Sequence, residues 1–221
     1  MKRWILLMMS MAAMVASAEE SAVPATESAL KIERMVEAAS NSDHGFSTDY
    51  GARYKPCQDL LDEPGNHAKD LGRLLDMSFS RHVRRTAIET MIYRNEYDVG
   101  LLNKGLEGWL KKCSGSELKF GGPFQGEGGY CDALLRVMIV KGDARSVDVA
   151  LGGFPIRDEA VASKVVELIG ERGEQRHLAS LIALAGTSEG KVKEEMLKAA
   201  AKIKSRKPGK VRYGMVSQPG M

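Results

Sequence analysis

The sequence predicts an all-α protein, a short right-handed α-solenoid of stacked antiparallel helical hairpins with an irregular N-terminal segment. Three observations carry this expectation. Ala, Leu, Val and Met are plentiful and aromatic residues make up 6% of the chain, a balance that favours helices over sheets. From about Asn66 onward, apolar residues recur at spacings of three and four, the period of a helix with one buried face. Apolar positions in the C-terminal half also repeat at an offset of 31 residues, as expected of units that bury their faces on one another.

Residues 1–18 have the layout of a secretory signal: Lys2 and Arg3, an apolar run from Ile5 to Val15, then the small residues Ala16, Ser17 and Ala18. Cleavage after Ala18 is expected. The run is shorter than the roughly 20 residues a spanning helix needs, so no membrane span is expected in the mature chain, and the location read from the sequence is periplasmic or extracellular. Without Lys2 and Arg3 the 32 basic residues become 30, against 29 acidic ones. That near-neutral balance points away from nucleic acid.

Residues 19–65 read as a flexible leader, a short helix with Leu30, Ile32, Met35, Val36 and Ala39 on its apolar face, and an irregular covering segment from Asn41 to Gly65 that Tyr50 and Tyr54 could pin down. The helical region is expected over residues 66–205. Its first helix carries Leu71, Leu74, Leu75 and Phe79. Ser80 is the expected N-cap of the next, which presents Val83, Ala87, Ile88, Met91 and Ile92. A third holds Val99, Leu102, Leu106, Trp109 and Leu110. Residues 114–129, rich in glycine and containing Pro123, read as an inserted loop. Residues 206–221 read as a basic, disordered, solvated tail.

The 31-residue offset relates Tyr130, Val161 and Val192, then Leu134, Val165 and Met196, then Leu135, Val166 and Leu197. In the following helix Val147 matches Leu178, Ala150 matches Leu181 and Leu151 matches Ile182, while Gly142 and Gly173 share the intervening turn. Val83, Ala87, Ile88 and Met91 stand 78 residues before Val161, Val165, Val166 and Ile169, which extends the pattern to an earlier hairpin.

The Asp-Glu-Ala-Val stretch at Asp158–Val161, its apolar stripe, the glycine turn and a second helix with Leu178 and Ile182 together resemble the HEAT-repeat family. The resemblance covers about Ser80 to Ile203 and departs from the family pattern in the large insertion and in Pro155. It implies a non-catalytic scaffold that binds a protein or peptide, with no cofactor and no particular ligand.

Cys57, Cys113 and Cys131 are three thiols in a chain expected to reach an oxidising compartment. One disulfide with one thiol left over is the simplest state. Cys113 and Cys131 bracket the insertion, and pairing them would contribute about 3 kcal/mol in the chain-entropy model; pairing Cys57 with either is the alternative. A Cys57 nucleophile served by His44, His67 or His82 is the enzymatic alternative, although these spacings match no motif. A structural envelope protein with no discrete ligand is the third reading. Scattered histidines without paired ligand spacing give no metal site. Gly126-Glu127-Gly128-Gly129 lacks the Lys-Ser/Thr ending of a phosphate loop.

Candidate binding residues fall in three groups. Phe120 and Phe124, with Tyr130, are aromatics in or beside the insertion and suit contact anchors. Arg84 and Arg85, with Arg81 and His82, make a basic helix start, unfavourable against the helix dipole and so a candidate anion contact. Arg145 and Arg176 are equivalent by the 31-residue offset and lie on second helices, the helices that line the concave face in the family resembled.

Overall fold

The computed structural model describes residues 26–41, 54–115 and 128–206. Among them are ten α-helices and no strand: α1 (Glu27–Ser40), α2 (Lys55–Asp62), α3 (Ala68–Arg73), α4 (Arg81–Arg94), α5 (Val99–Gly115), α6 (Gly128–Lys141), α7 (Ala144–Gly152), α8 (Glu159–Arg172), α9 (Leu178–Thr187) and α10 (Gly190–Ser205). The signal-like residues 1–18, most of the insertion with Phe120 and Phe124, and residues 207–221 lie outside the described residues.

Short polar side chains start several of these helices. Thr26 Oγ1 accepts the Ala29 N–H at 3.2 Å, Ser80 Oγ that of Val83 at 3.3 Å, Asp98 Oδ1 that of Leu101 at 3.0 Å and Asp158 Oδ1 that of Val161 at 2.9 Å. Each satisfies one of the N–H groups that a helix start leaves unpaired. Helix α4 stops at Asn95, whose backbone is left-handed at φ 52°, a conformation asparagine tolerates better than most residues.

The repeat read from the sequence reappears as helix spacing. Helices α6, α8 and α10 begin at residues 128, 159 and 190, and α7 and the 3-10 turn Gln175–His177 that leads into α9 begin at 144 and 175. In space α1 packs on α4, α4 on α6, α6 on α8, and α8 on α10. A second row is formed by α3 on α5 and α5 on α7. The apolar residues between the rows form one buried cluster that includes Ile32, Leu75, Ile88, Trp109, Leu135, Val166 and Met196. Gly142 and Gly173 occupy the turns between first and second helices. A Cβ at either would run into the carbonyl oxygen of Met138 or Ile169 respectively, so no larger residue fits these turns.

Arginines, Arg172 buried and Arg94 and Arg206 half-buried, tie helices of neighbouring layers together. Arg94, the last residue of α4, donates to the carbonyls of Leu61 and Gly65, both at 2.6 Å, beside α2. Arg172, the last residue of α8, donates to Ile139 O at 2.6 Å and to Val140 O at the end of α6. Arg206 follows α10 and donates to Gly170 O at 2.6 Å and Gly173 O at 2.7 Å at the end of α8. Each guanidinium satisfies C-terminal carbonyls and opposes the negative end of a helix dipole.

Four expectations are corrected. The segment from Asn41 to Gly65 is not irregular throughout, because Lys55–Asp62 is helical with Pro56 in its first turn, where the missing N–H costs nothing. The helix carrying Leu71 ends at Arg73, before Phe79; Asp76 Oδ1 takes the Ser78 N–H at 2.8 Å, a local turn that competes with helix. The insertion is flanked by helix that reaches Gly115 and resumes at Gly128. Arg206 is fixed on the carbonyls of α8 rather than belonging to a solvated tail.

Candidate functional site

Two second-row helices, α5 and α7, line a surface groove. On α5, Glu107, Leu110 and Lys111 stand at i, i+3 and i+4; on α7, Arg145, Asp148, Val149 and Gly152 stand at i, i+3, i+4 and i+7. Those spacings place each set on one helix face. The two faces line a groove of about 490 Å³ together with Gly153. Gly153 lets the helices approach, since a Cβ there would come within 2.7 Å of Leu110 Cδ1. Gly152 keeps the groove open, because a Cβ there would meet no atom within 4 Å. Leu110 and Val149 supply its apolar floor.

The charges around that floor are unevenly satisfied. Lys111 Nζ lies 2.7 Å from Glu107 Oε1. The hydrogen bond and charge of Lys111 hold the Glu107 carboxyl below the usual carboxylate range, and the nearby Arg145 charge adds to this. Asp148 Oδ2 is 3.1 Å from Arg176 Nη2, and Arg176 Nε is 3.3 Å from Glu174 Oε2. Arg145 is exposed and makes no hydrogen bond or ion pair to any described residue. The two equivalent arginines therefore differ: Arg176 is neutralised by acids of its own chain, and Arg145 is left to face solvent in the groove.

A polar ladder holds α7 in place under this groove. Asp143 Oδ1 accepts the Ser146 N–H and Ser146 Oγ accepts the Asp143 N–H, both at 2.9 Å, a reciprocal cap. Buried Asn103 of α5 joins it, accepting from Ser146 Oγ at 2.7 Å and donating to Asp143 Oδ1 at 3.3 Å. Burial alone would raise the Asp143 pKa; the bonds from Ser146 and Asn103 outweigh it and lower the pKa. One unit later the same device recurs, with Glu174 N–H donating to His177 Nδ1 at 2.8 Å. His177 Nε2 then sits 3.2 Å from Asp148 Oδ1, outside hydrogen-bond geometry.

The remaining candidates scatter. Arg84 is buried, not presented to an anion: it donates to Phe79 O at 2.7 Å and lies over the Tyr130 ring at 5.0 Å. Its neighbour Arg85 pairs with buried Glu89 at 2.9 Å. The basic helix start is thus largely taken up within the protein. Tyr130 is buried, with its hydroxyl 3.4 Å from Leu75 O, so it is no exposed anchor. Cys131 is buried; the side chain of Cys113 lies outside the described residues, as does the pairing expected between them. Cys57 is a buried thiol pushed up to about 11 by burial and by the Glu89 charge. His67 turns its Nε2 to Pro64 O at 3.0 Å and His82 accepts from Arg81 Nε at 3.3 Å. His44 lies outside the described residues.

A second groove of about 360 Å³ runs between α8 and α10, lined by Ser163, Glu167, Glu195 and Lys198 among others. Ion pairs of Lys164 with Asp132 and of Lys202 with Glu171 take up charges along it. Sequence reasoning found Arg145 but missed Glu107, Lys111, Asp148 and Gly152, although their helical spacings are readable. What could not be read is which helix faces which. Among the described residues no helix is long and apolar enough to cross a membrane. No family model, curated protein or solved structure matches the chain.

Proposed function

We propose that this chain is a non-catalytic, exported α-solenoid of HEAT-like hairpins that holds a protein or peptide partner in the periplasm or cell envelope, with the α5–α7 groove as its contact surface. The observation that carries the reading is the unpaired Arg145 over an apolar floor, on a surface made by consecutive second helices. The recurring helix starts and the layer-on-layer packing support the architecture, because stacked hairpins make extended concave faces. The buried, protonated state of Cys57 favours this reading over a thiol enzyme, since the thiolate is the nucleophile.

The test uses purified mature chain and its Arg145→Glu variant as bait for a native envelope fraction, with each retained protein then produced alone and its affinity measured by calorimetry. The reading predicts one saturable partner whose affinity falls at least about ten-fold with the variant, at unchanged helical circular dichroism. Equal affinity for both baits, or no partner that binds when purified, would overturn it.

A further inference from the structure

We infer that the α5–α7 groove takes one short recognition element, an aliphatic side chain followed by a carboxylate on an extended peptide. This rests on the peptide-holding reading above and specifies what the groove selects. Its volume, about 490 Å³, is within the range of sites that enclose a small ligand or a few residues. Half-buried Val149 offers apolar contact beside buried Leu110, and the missing side chain at Gly152 leaves the space above them empty. An aliphatic side chain is the group that gains most from such a floor.

Charge then narrows the class. Glu107 is matched by Lys111, and Asp148 by Arg176, which leaves Arg145 as the cation available to a ligand. A guanidinium can grip a carboxylate with two parallel hydrogen bonds. An extended chain has its side chains on alternate sides, so adjacent residues can send the aliphatic group to the floor and the carboxylate to the rim.

The experiment titrates full-length mature protein with two probes, acetyl-Ala-Leu-Asp-Ala-amide and acetyl-Ala-Leu-Asn-Ala-amide, following the backbone amide signals of Val149, Gly152 and Gly153 by NMR. The aspartate probe is expected to shift these signals and to bind about ten-fold more tightly than the asparagine probe. Gly152→Leu puts its Cβ where no atom lies within 4 Å, so it should keep the fold and, by filling the groove, abolish the shifts. Arg145→Glu should erase the preference for aspartate, and Arg145→Lys should retain part of it. Equal affinities for the two probes, binding undiminished in Gly152→Leu, or no shift with either probe at millimolar concentration would each overturn the inference. An envelope partner that still binds the Gly152→Leu protein and loses affinity with Arg145→Glu would leave the scaffold reading standing while the groove's selectivity falls.

Discussion

The two ends of the molecule solve the same packing problem with different regularity. From α6 to α10 the helix starts keep the 31-residue spacing. From α1 to α5 that spacing lapses, and the extra helix α2 is wedged against α1 and α4. A terminal arginine docked on an earlier helix nevertheless occurs in both halves. Arg94 and Arg172 stand 78 residues apart, the offset that relates α4 to α8, and each ends its helix on carbonyls of an earlier one. The contrast teaches that the polar joint tolerates changes in helix length better than the apolar register does. A guanidinium needs only the exposed carbonyls of a helix end, whereas apolar register needs a whole matching face.

Substitutions in the two halves test this difference. The largest effect is expected within the regular half, between an inner and an outer layer. Leu135 and Leu197 are repeat equivalents, yet Leu135 is buried and Leu197 is 48% exposed because no described helix covers the outer face of α10. Leu135→Ala should cost about 3 kcal/mol and Leu197→Ala less than about 1 kcal/mol, measured by urea unfolding. Equal costs would mean that the outer face is covered in solution.

Next come the cationic joints. Arg172→Met and Arg94→Met should each cost about 2 kcal/mol through unpaired carbonyls, and similar values in the two halves would show that the joint is independent of the repeat. Asn103→Ala should cost about 1 kcal/mol by removing its bonds to Ser146 and Asp143, with amide exchange rising at the start of α7.

The smallest effect is a pH dependence. Because the folded state lowers the Asp143 pKa, its stabilisation is complete above the unfolded value of about 4 and is lost as pH falls through the lower folded value. Asp143→Asn should therefore shrink the stability difference between neutral and strongly acidic pH. Chemical denaturation at a series of pH values checks it, and an unchanged acid limb would count against the cap.

Much of the fold was legible because its signals are local. Ser80 and Asp158 mark helix starts by side-chain chemistry alone, and the row Leu135, Val166 and Leu197 marks equivalent faces by spacing alone. Helix α2 was hidden because it is short and Pro56 reads as a breaker unless its place in the first turn is known. Arg84 was misread for a different reason: a cation at a helix start is a surface signal in sequence, but here carbonyls of Met77 and Phe79 and the ring of Tyr130 take it inside. The site was half legible. The equivalence of Arg145 and Arg176 follows from the repeat, but their different states depend on Asp148 and Glu174, which only three dimensions bring to Arg176.

The most direct test of the central claim, that Arg145 in the α5–α7 groove contacts the partner, is a charge exchange once the partner is purified. Arg145→Glu is paired with a partner in which its acidic residues are changed one at a time to lysine, and affinities are measured for all combinations. One lysine variant is expected to bind Arg145→Glu at least about ten-fold better than the unmodified partner does. Failure of every lysine variant to restore binding would contradict that claim.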